Sequence, residues 1–545
     1  MPTLNWIGKE AVEKHHKEVP FRLLEPVEEL SCGDADSGNL IVQGDNLDAL
    51  KALLPRYAGK VKCIYIDPPY NTGNEGWVYN DNVNSPEIKK WLGEVVGKEG
   101  ETLDRHDRWL CMMYPRLLLL KQFLTDDGVI LISIDDIEAG YFRVLMDEIF
   151  GFHNRIATIV WNTRNTDNRI KTNLSPDHEN ILVYGRSEKS KILGRIIDRS
   201  NFKNPDNDPR GPYVTDPLKG KATAEERPNL HSYYMEQPET TNTWKPDPAK
   251  GWITDKVGYE KLLKEDKIWW PKNTKTGWPR KKRFVSETQE RMPASTFWPE
   301  FKSQSGAREL DEILDSRVFA FPKPSALIQR IISYCAPPGS IVLDSFAGTG
   351  TTAHAVLKQN NEDNGDRKFI LVEMDRHISE TVTSERLRRV CSGYQLSKDN
   401  YVKALGSGFQ YCRLSKEPLF NADGPIRSDV TFDQLAEFVW FMETGTGLDQ
   451  PDFKSIDKKS STPYLGQYKN RAIFLLYNDI LKDKSDAGGN VLNSRTLEIL
   501  EEALPNFKGT KIVYGARTRF DKTKLARLNI TFHQLPYELA VKTWF

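Results

Sequence analysis

The 545-residue sequence lacks several features that mark particular classes of protein. Its six cysteines are scattered, with no C-x-x-C pair and no short cysteine–histidine spacing, so neither a disulfide framework nor a structural zinc site is indicated. It has no run near 18 consecutive apolar residues, and its first stretch, MPTLNWIGKEAVEKHHKEV, contains no apolar signal core. We therefore expect a cytoplasmic protein with no bound metal and no membrane segment.

An excess of charge is also missing, because Lys plus Arg and Asp plus Glu both number 76. Any binding to a polyanion must then depend on locally clustered charge. Internal repeats and low-complexity tracts are absent too. The length exceeds what one hydrophobic core usually organises, so two or three domains are expected.

Short apolar runs alternate with helical patterns along much of the chain. This alternation predicts an α/β fold built around a doubly wound, Rossmann-like sheet. The runs suit buried parallel strands at residues 62–66, 128–134, 180–184, 340–343 and 368–372, and the helical patterns cover 46–54, 105–124, 141–150, 324–335 and 351–357.

Composition divides the chain into five predicted segments. Two halves of the sheet flank an insertion rich in Pro, Asn, Asp, Lys and Trp, which contains six of the thirteen tryptophans. The segments are an N-terminal extension (1–37), the first half of the sheet (38–194), the insertion (195–305), the second half (306–398) and a small C-terminal α/β domain (399–545).

Four acids follow four of the predicted strands: Asp67, Asp135, Asp344 and Glu373. In an open α/β sheet the ligand crevice lies outside the carboxyl ends of the parallel strands, so four acids there indicate a site. Asp also favours strand-end turns. For Asp135, which Asp136 follows, both interpretations stay open.

The stretch KCIYIDPPY ends a predicted strand in Asp67-Pro68-Pro69-Tyr70. By average residue frequencies this tetrapeptide arises by accident in roughly one chain in several hundred of this length. Prolines stiffen the loop and, lacking N–H groups, keep its carbonyls out of ladder pairing. The stretch therefore indicates a rigid loop that presents a carboxylate, carbonyls and a ring.

The stretch IVLDSFAGTGTTAHAV reads as a strand, an acid, and a glycine loop that opens a helix capped by threonines. Its glycines permit a tight turn and close approach of a ligand to the backbone. The third glycine of dinucleotide fingerprints is missing, which favours a nucleoside ligand without phosphates over NAD. Glu373, at the end of the next strand, is placed to accept hydrogen bonds from ribose hydroxyls.

Together the two motifs, DPPY at 67–70 and FAGTG at 346–350, resemble those of S-adenosylmethionine-dependent DNA amino-methyltransferases. The order of the motifs is similar to the β class, and especially to the modification subunits of type III restriction-modification systems. The stretches GNLIVQGDNLDAL and FAFPKPSALIQRII strengthen the resemblance, which spans roughly residues 38–395. It implies S-adenosyl-L-methionine as cofactor, double-stranded DNA as substrate with base flipping, a homodimer, and a helicase-nuclease restriction subunit as a partner.

The resemblance also implies roles for individual residues. Asp67 and the Pro68 carbonyl would accept hydrogen bonds from the target amino group, Pro69 would stiffen the loop, and Tyr70 would stack on the base. Asp344 would fix the glycine loop or the methionine amine of the cofactor. The remaining cofactor-binding residues implied are Phe346, Ala347, Gly348 and Gly350 around the adenosyl group, Glu373 at the ribose, and Lys323, Pro324 and Ser325 at the methionine end.

The insertion is the candidate target-recognition region, because basic residues alternate there with aromatic ones. Alternatively, its tryptophans form a core and its basic residues a solvated face. With the resemblance in view, DNA contact by part of this stretch is favoured. The predicted DNA-binding residues are Lys272, Lys275, Arg280, Lys281, Lys282 and Arg283.

Three functions follow from the sequence. The leading one is methylation of adenine N6 in duplex DNA, which is favoured by Asp at the first motif position. The second is methylation of cytosine N4, because the same motif serves any exocyclic amine. The third is a DNA-recognition subunit that delivers a nuclease partner. His178 and His354 are expected to be structural.

Overall fold

The computed structural model describes residues 3–34, 37–71, 105–166, 174–397, 400–420, 426–448, 463–481 and 483–535. The chain forms two compact units, Leu193–Ala294 and the remainder, Met1–Ile192 with Ser295–Phe545. Within the described ranges, no helix has the length and apolar character needed to cross a membrane.

A ten-stranded sheet organises the larger unit. Its spatial order is β1-β10-β2-β9-β8-β3-β4-β6-β5-β7, and the six neighbours from β10 to β4 are mutually parallel. In chain order the strands are β1 (Arg22–Pro26), β2 (Leu40–Gln43), β3 (Val61–Ile66), β4 (Leu124–Ile134), β5 (Arg155–Asn162), β6 (His178–Gly185), β7 (Phe297–Trp298), β8 (Ile341–Asp344), β9 (Lys368–Glu373) and β10 (Gln410–Pro418).

Helices cover both faces of this sheet, so the predicted doubly wound α/β fold is confirmed. Side chains alternate along β3: Ile64 and Ile66 pack against α3, α4 and α5, whereas Cys63 and Tyr65 pack toward α8 and α9. The described α-helices are α1 (Lys9–Glu13), α2 (His15–Glu18), α3 (Asn46–Tyr57), α4 (Arg105–Phe123), α5 (Asp136–Phe150), α6 (Lys256–Lys264), α7 (Ser303–Leu314), α8 (Ser325–Cys335), α9 (Thr351–Asp363), α10 (Ser384–Ser392), α11 (Phe432–Thr444), α12 (Ser494–Ala503) and α13 (Lys522–Arg527).

The strands β9, β8, β3 and β4 are consecutive neighbours and run in the same direction. Their carboxyl ends therefore meet at one edge of the sheet. The four acids that follow or end these strands, Asp67, Asp135, Asp344 and Glu373, stand along that edge, as the sequence predicted.

One strand assignment was wrong in direction. The run at 180–184 lies in β6, which pairs antiparallel with both β4 and β5. An antiparallel strand begins where its parallel neighbours end, and Asn180 of β6 pairs with Ile134 at the end of β4. The start of β6, rather than its end, therefore lies at the acidic edge.

Three strands of the large sheet come from outside residues 38–194 and 306–398: β1, β10, and β7, which pairs parallel with β5 and lies within the predicted insertion. In the N-terminal stretch β1 pairs antiparallel with β10, and β10 pairs parallel with β2. C-terminal to β10 the chain forms a separate four-stranded sheet. Its strands are Tyr464–Tyr468, Arg471–Leu475, Thr510–Gly515 and Ile530–Gln534, and the last three of them are parallel.

The smaller unit, Leu193–Ala294, consists of short strands around an aromatic core. Trp252 is fully buried beside Trp278, with ring centroids 5.6 Å apart, and Trp244 stacks on Trp270 at 5.3 Å. These four tryptophans belong to the core or pack against it. The sequence interpretation in which the tryptophans form a core therefore holds for these four.

Candidate active site

The DPPY loop leaves β3 at the acidic edge and is held by side chains from α4 and β6. The Tyr70 hydroxyl lies 2.8 Å from Asp67 Oδ1 and 2.8 Å from Glu179 Oε2, so its single proton is donated to one of two carboxylates. The indole Nε1 of Trp109, a fully buried residue of α4, donates to the Pro69 carbonyl at 2.6 Å. Hydrogen bonds to α4 and to β6 therefore fix the position of the loop.

Asn71 ends the loop in a left-handed conformation, with φ of 58°. Asn tolerates this region better than most residues. Its side-chain amide donates to Glu138 Oε1 at 2.5 Å, and His106 Nδ1 lies 2.6 Å from the same oxygen. Glu138, fully buried in α5, thus ties the end of the motif to the helix that follows β4.

Lys323 brings a cation into the DPPY loop. Its ammonium donates to Asp67 Oδ2 at 2.8 Å and to the Tyr70 hydroxyl at 2.8 Å, and it lies 3.5 Å from Glu179 Oε2. The side chain is only 9% exposed. Although the resemblance implied a place at the methionine end of the cofactor, the ammonium lies against the DPPY motif.

The glycine loop after β8 has the backbone that its glycines require. Gly348 and Gly350 have φ of 50° and 73°, in the left-handed region. Gly350 occupies the N-cap position of α9 with no side-chain cap, so the prediction that the threonines cap this helix was wrong. The Thr352 hydroxyl instead donates to Asp344 Oδ2 at 2.5 Å.

Two acids hold the glycine loop in place. The backbone N–H of Phe346 donates to Asp344 Oδ1 at 3.0 Å, and the N–H of Gly348 donates to Glu373 Oε2 at 2.8 Å. Burial raises the pKa of Asp344 to about 7 and that of Glu373 to about 8, although hydrogen bonds to the charged forms act in the opposite direction. Both acids therefore accept hydrogen bonds that fix the loop, and burial makes each of them harder to ionise than a free carboxyl group.

A buried ion network lies beneath the loop. The Arg386 guanidinium, fully buried, donates to the hydroxyls of Thr349 and Thr351 at 3.0 and 2.8 Å. It also donates to Glu309 Oε2 at 3.3 Å. Burial alone would raise the pKa of Glu309, but the nearby positive charges outweigh it and lower the pKa to about 2. Arg386 thereby couples the loop to α7.

A narrow cleft, about 30 Å³ in volume, joins the two motifs. Ligand pockets usually measure roughly 300–1,000 Å³, so the cleft has to widen for a nucleoside to enter. Pro324 and Ser325 do not line it; the Ser325 hydroxyl donates to Glu309 instead, at 2.5 Å. The residues that line it are Tyr65, Asp67, Phe319, Phe321, Pro322, Lys323, Asp344, Phe346, Ala347, Gly348, Thr349, Thr351 and Thr352.

Residues 61–384 match the model of a family described as DNA methylase. The chain belongs to this family. The match includes β3 with the DPPY loop, β8 with the glycine loop, and β9 with Glu373. The prediction of a DNA methyltransferase that uses S-adenosyl-L-methionine is thereby confirmed.

This methylase is similar to several curated proteins. It is 31% identical over 445 residues to the type III restriction-modification enzyme StyLTI Mod subunit of Salmonella typhimurium, covering 76% of this chain and 66% of that protein. It is 30% identical to the EcoPI Mod subunit of Escherichia phage P1, covering 74% and 70%. It is 32% identical to the type II methyltransferase M.KpnI of Klebsiella pneumoniae, covering 72% and 94%. The chain thus spans about two thirds of the length of the Mod subunits.

The residues of this methylase fit S-adenosylmethionine in their chemistry. Glu373 offers a buried carboxylate beside a loop whose two glycines carry no Cβ, and the half-buried Phe346 ring lines the same cleft. A carboxylate at this strand end suits ribose hydroxyls. Glu373 and Gly350 adjoin the cleft through their neighbours in the loop rather than lining it directly.

Sequence reasoning missed Glu179, Trp109, Glu138 and Arg386 in the methylase site. Glu179 is the second residue of β6, and the parallel direction predicted for that strand would have placed it at the opposite edge of the sheet. His178 lies 3.5 Å from Asp136 Oδ2, and among the described residues no hydrogen bond or ion pair joins it to the DPPY loop. The Asp135 side chain accepts from the Ile137 N–H at 3.0 Å and caps α5, and His354 is buried beside Arg386.

The six predicted DNA-binding residues of the insertion differ in their surroundings. Lys282 is buried and pairs with Asp206 at 2.7 Å and Asp208 at 3.1 Å, which makes it a structural residue of the module. Lys272 and Lys275 are exposed. Arg280 and Lys281 are half-buried, and Arg280 donates to Thr215; Arg283 is exposed and pairs with Asp216.

Proposed function

We propose that this methylase transfers the methyl group of S-adenosylmethionine to the exocyclic N6 of adenine in duplex DNA. The observation that carries the proposal is the adjacency of β3 and β8, which brings the DPPY motif and the glycine loop to one cleft. Family membership supplies the reaction class, and the acceptor set of the DPPY loop supports an amino group as the target.

The loop offers two acceptors to that amino group, the Asp67 carboxylate and the Pro68 carbonyl. The Pro69 carbonyl is taken by Trp109, whereas no hydrogen bond among the described residues uses the carbonyl of Pro68. The two acceptors draw the amino hydrogens into the loop, so the nitrogen lone pair is localised and aimed at the methyl group. With the cofactor bound, the nitrogen would form a bond to the methyl carbon while the carbon–sulfur electron pair stays on sulfur. It then releases a proton, which Asp67 accepts.

Tyr70 supplies the face on which the flipped base stacks. Its hydroxyl is fixed by Asp67 and Glu179, which holds the ring in a single orientation beside the acceptors. A base inside a duplex cannot reach this loop, so the reaction requires base flipping.

The cofactor is held, in this proposal, by the glycine loop and Glu373. The Glu373 carboxylate has lone pairs beyond those used by Gly348 and Asp375, so it can also accept from the ribose hydroxyls. Asp344 accepts from the Phe346 N–H of the loop and from the Thr352 hydroxyl of α9, so it acts by positioning the loop. When bound, S-adenosylmethionine supplies an electrophilic methyl group on a sulfonium sulfur.

The direct test is transfer of tritiated methyl from S-adenosylmethionine to unmethylated DNA by the wild-type chain and by Asp67→Asn. Asp147→Asn is a matched control, because Asp147 also pairs with a tyrosine hydroxyl, Tyr184, at 2.7 Å and with a cation, Arg155, at 3.3 Å. We expect Asp67→Asn to lose at least a hundredfold in rate and Asp147→Asn to keep it. Undiminished transfer by Asp67→Asn refutes the catalytic role of Asp67.

The biological role we propose is the modification part of a restriction-modification system, as the names of the similar Mod subunits suggest. A homodimer and a helicase-nuclease partner are part of this proposal. Light scattering of the purified chain tests the first, since a monomer at micromolar concentration contradicts it. Exposed Lys272 and Lys275 are proposed to contact DNA phosphates.

A further inference from the structure

The ammonium of Lys323 lies where the target amino group would have to bind. It donates to Asp67 Oδ2 at 2.8 Å, and it lies over the Tyr70 ring, 4.8 Å from the centroid. The proposed function assigns both of these, the carboxylate and the ring face, to the flipped base. An ammonium and an exocyclic amine are both nitrogen donors, so they compete for the same acceptor.

Moving this ammonium away from Asp67 is costly unless another carboxylate receives it. A buried ammonium without a counter-charge is strongly disfavoured, and the Lys323 side chain is nearly enclosed. Glu179 Oε2 lies 3.5 Å from the ammonium, so a shift of under about 1 Å forms a direct hydrogen bond at the usual 2.7–3.2 Å. A second acceptor for the cation thus stands beside the first.

Glu179 and Asp67 are also bridged by one hydroxyl. The Tyr70 O–H lies 2.8 Å from an oxygen of each, and Lys323 donates to that same hydroxyl at 2.8 Å. When the ammonium moves toward Glu179, the Tyr70 proton can turn to Asp67 Oδ1, and both carboxylates stay satisfied. The cluster therefore has two complete hydrogen-bond arrangements.

We propose that Lys323 is a positioning residue that holds Asp67 in register and passes its ammonium to Glu179 when the target amino group binds. The inference rests on the proposed function, which gives Asp67 to the target amine. Glu179 is then required for capture of the base, although it contacts neither the base nor the cofactor.

The Lys323 ammonium also affects the charge on Asp67. Facing it are Glu179 from β6, Asp344 from the neighbouring strand β8, Tyr65 from β3, Tyr70 from its own loop, and one cation, Lys323. Removal of the cation leaves Asp67 among acids, which favours its protonated form. A protonated carboxyl holds the target amine poorly, so activity without Lys323 is lost at a higher pH.

The test is single-turnover methyl transfer to plasmid DNA from a host without the modification, between pH 5 and 9, with tritiated S-adenosylmethionine kept saturating at every pH so that ionisation of Glu373 does not set the rate. The variants are Glu179→Gln, Lys323→Met, their combination, and Lys323→Arg, with binding of S-adenosylhomocysteine by calorimetry as a measure of folding. Glu179→Gln is expected to raise the half-saturating DNA concentration at least tenfold and to leave the acid limb of the pH profile in place.

Lys323→Met is expected to move the acid limb up by at least one pH unit, and Lys323→Arg, which keeps the cation, to restore it. Because Glu179 acts through Lys323, the double variant should match Lys323→Met within twofold. Independent, multiplicative effects of the two substitutions, or an unmoved acid limb in Lys323→Met, overturn the inference. If, in addition, Asp67→Asn keeps its rate or the wild type transfers no methyl group, the proposed function fails as well. If the wild type is active and Asp67→Asn is inactive, the proposed function stands and only the Lys323–Glu179 exchange is refuted.

Discussion

Ligand binding by this methylase should depend on pH through Glu373. Its carboxyl is buried, which raises its pKa to about 8, while the proposed role requires the ionised form to accept ribose hydroxyls. With that pKa about one tenth of the groups are ionised at pH 7 and about nine tenths at pH 9. The dissociation constant of a nucleoside ligand should therefore fall about tenfold between these values, or about 1.4 kcal/mol.

Asp344 adds little to this effect. Its pKa is raised to about 7, so ionisation increases only about twofold over the same range. The assay is calorimetric titration with S-adenosylhomocysteine at four pH values, for the wild type and for Glu373→Gln. Titration of the ligand's own groups affects both proteins equally. Glu373→Gln should bind weakly and with at most a twofold pH dependence, and a tenfold dependence retained by this variant refutes the reasoning.

The raised pKa of Glu373 also makes the free energy of unfolding depend on pH. The folded state binds the Glu373 proton more tightly than the unfolded state does, so this group makes the free energy of unfolding decrease as pH rises from about 4.5 to 8. Glu373→Gln lacks this contribution. The decrease in melting temperature over that range should be smaller in the variant than in the wild type.

Three further predictions concern residues around the site. Trp109→Phe removes the donor to the half-buried Pro69 carbonyl and should lower kcat about tenfold with little change in ligand affinity, as steady-state kinetics would show; an unchanged kcat contradicts the role of Trp109. Arg386→Met leaves Glu309 without its most buried partner and should destabilise the fold by about 3 kcal/mol in urea unfolding, and a loss under 1 kcal/mol would argue against the network. Replacing both Lys272 and Lys275 by Ala should reduce the slope of log affinity for DNA against log salt by about 2, whereas replacing the equally exposed pair Lys256 and Lys264 should leave it unchanged.

Much of the site followed from the sequence because its motifs are local. Asp67 to Tyr70 and Phe346 to Gly350 each combine a strand, an acid and a special turn within a few residues, and strand adjacency in a doubly wound sheet then brings them together. The positions of the four strand-end acids required nothing beyond that rule.

What the sequence could not supply depends on pairing between distant segments. Whether β6 runs parallel or antiparallel to β4 is decided by the connection and by packing, not by the apolar run NILVY, and this direction alone places Glu179 at the site. Similarly, Lys323 lies 256 residues from Asp67, and a basic residue before a helix carries no local sign of the side chain that it will meet. For Lys282 the local sequence was misleading, because a lysine in a basic run was predicted to bind DNA but is buried and pairs with two aspartates.

The most direct test of the account is the identity of the modified base. DNA from a host without the modification is incubated with the full chain and S-adenosylmethionine, digested to nucleosides and analysed by mass spectrometry, with Asp67→Asn in parallel. The account predicts N6-methyladenine from the wild type and its loss in the variant. N4-methylcytosine, or DNA binding with no methylated nucleoside at all, would contradict it.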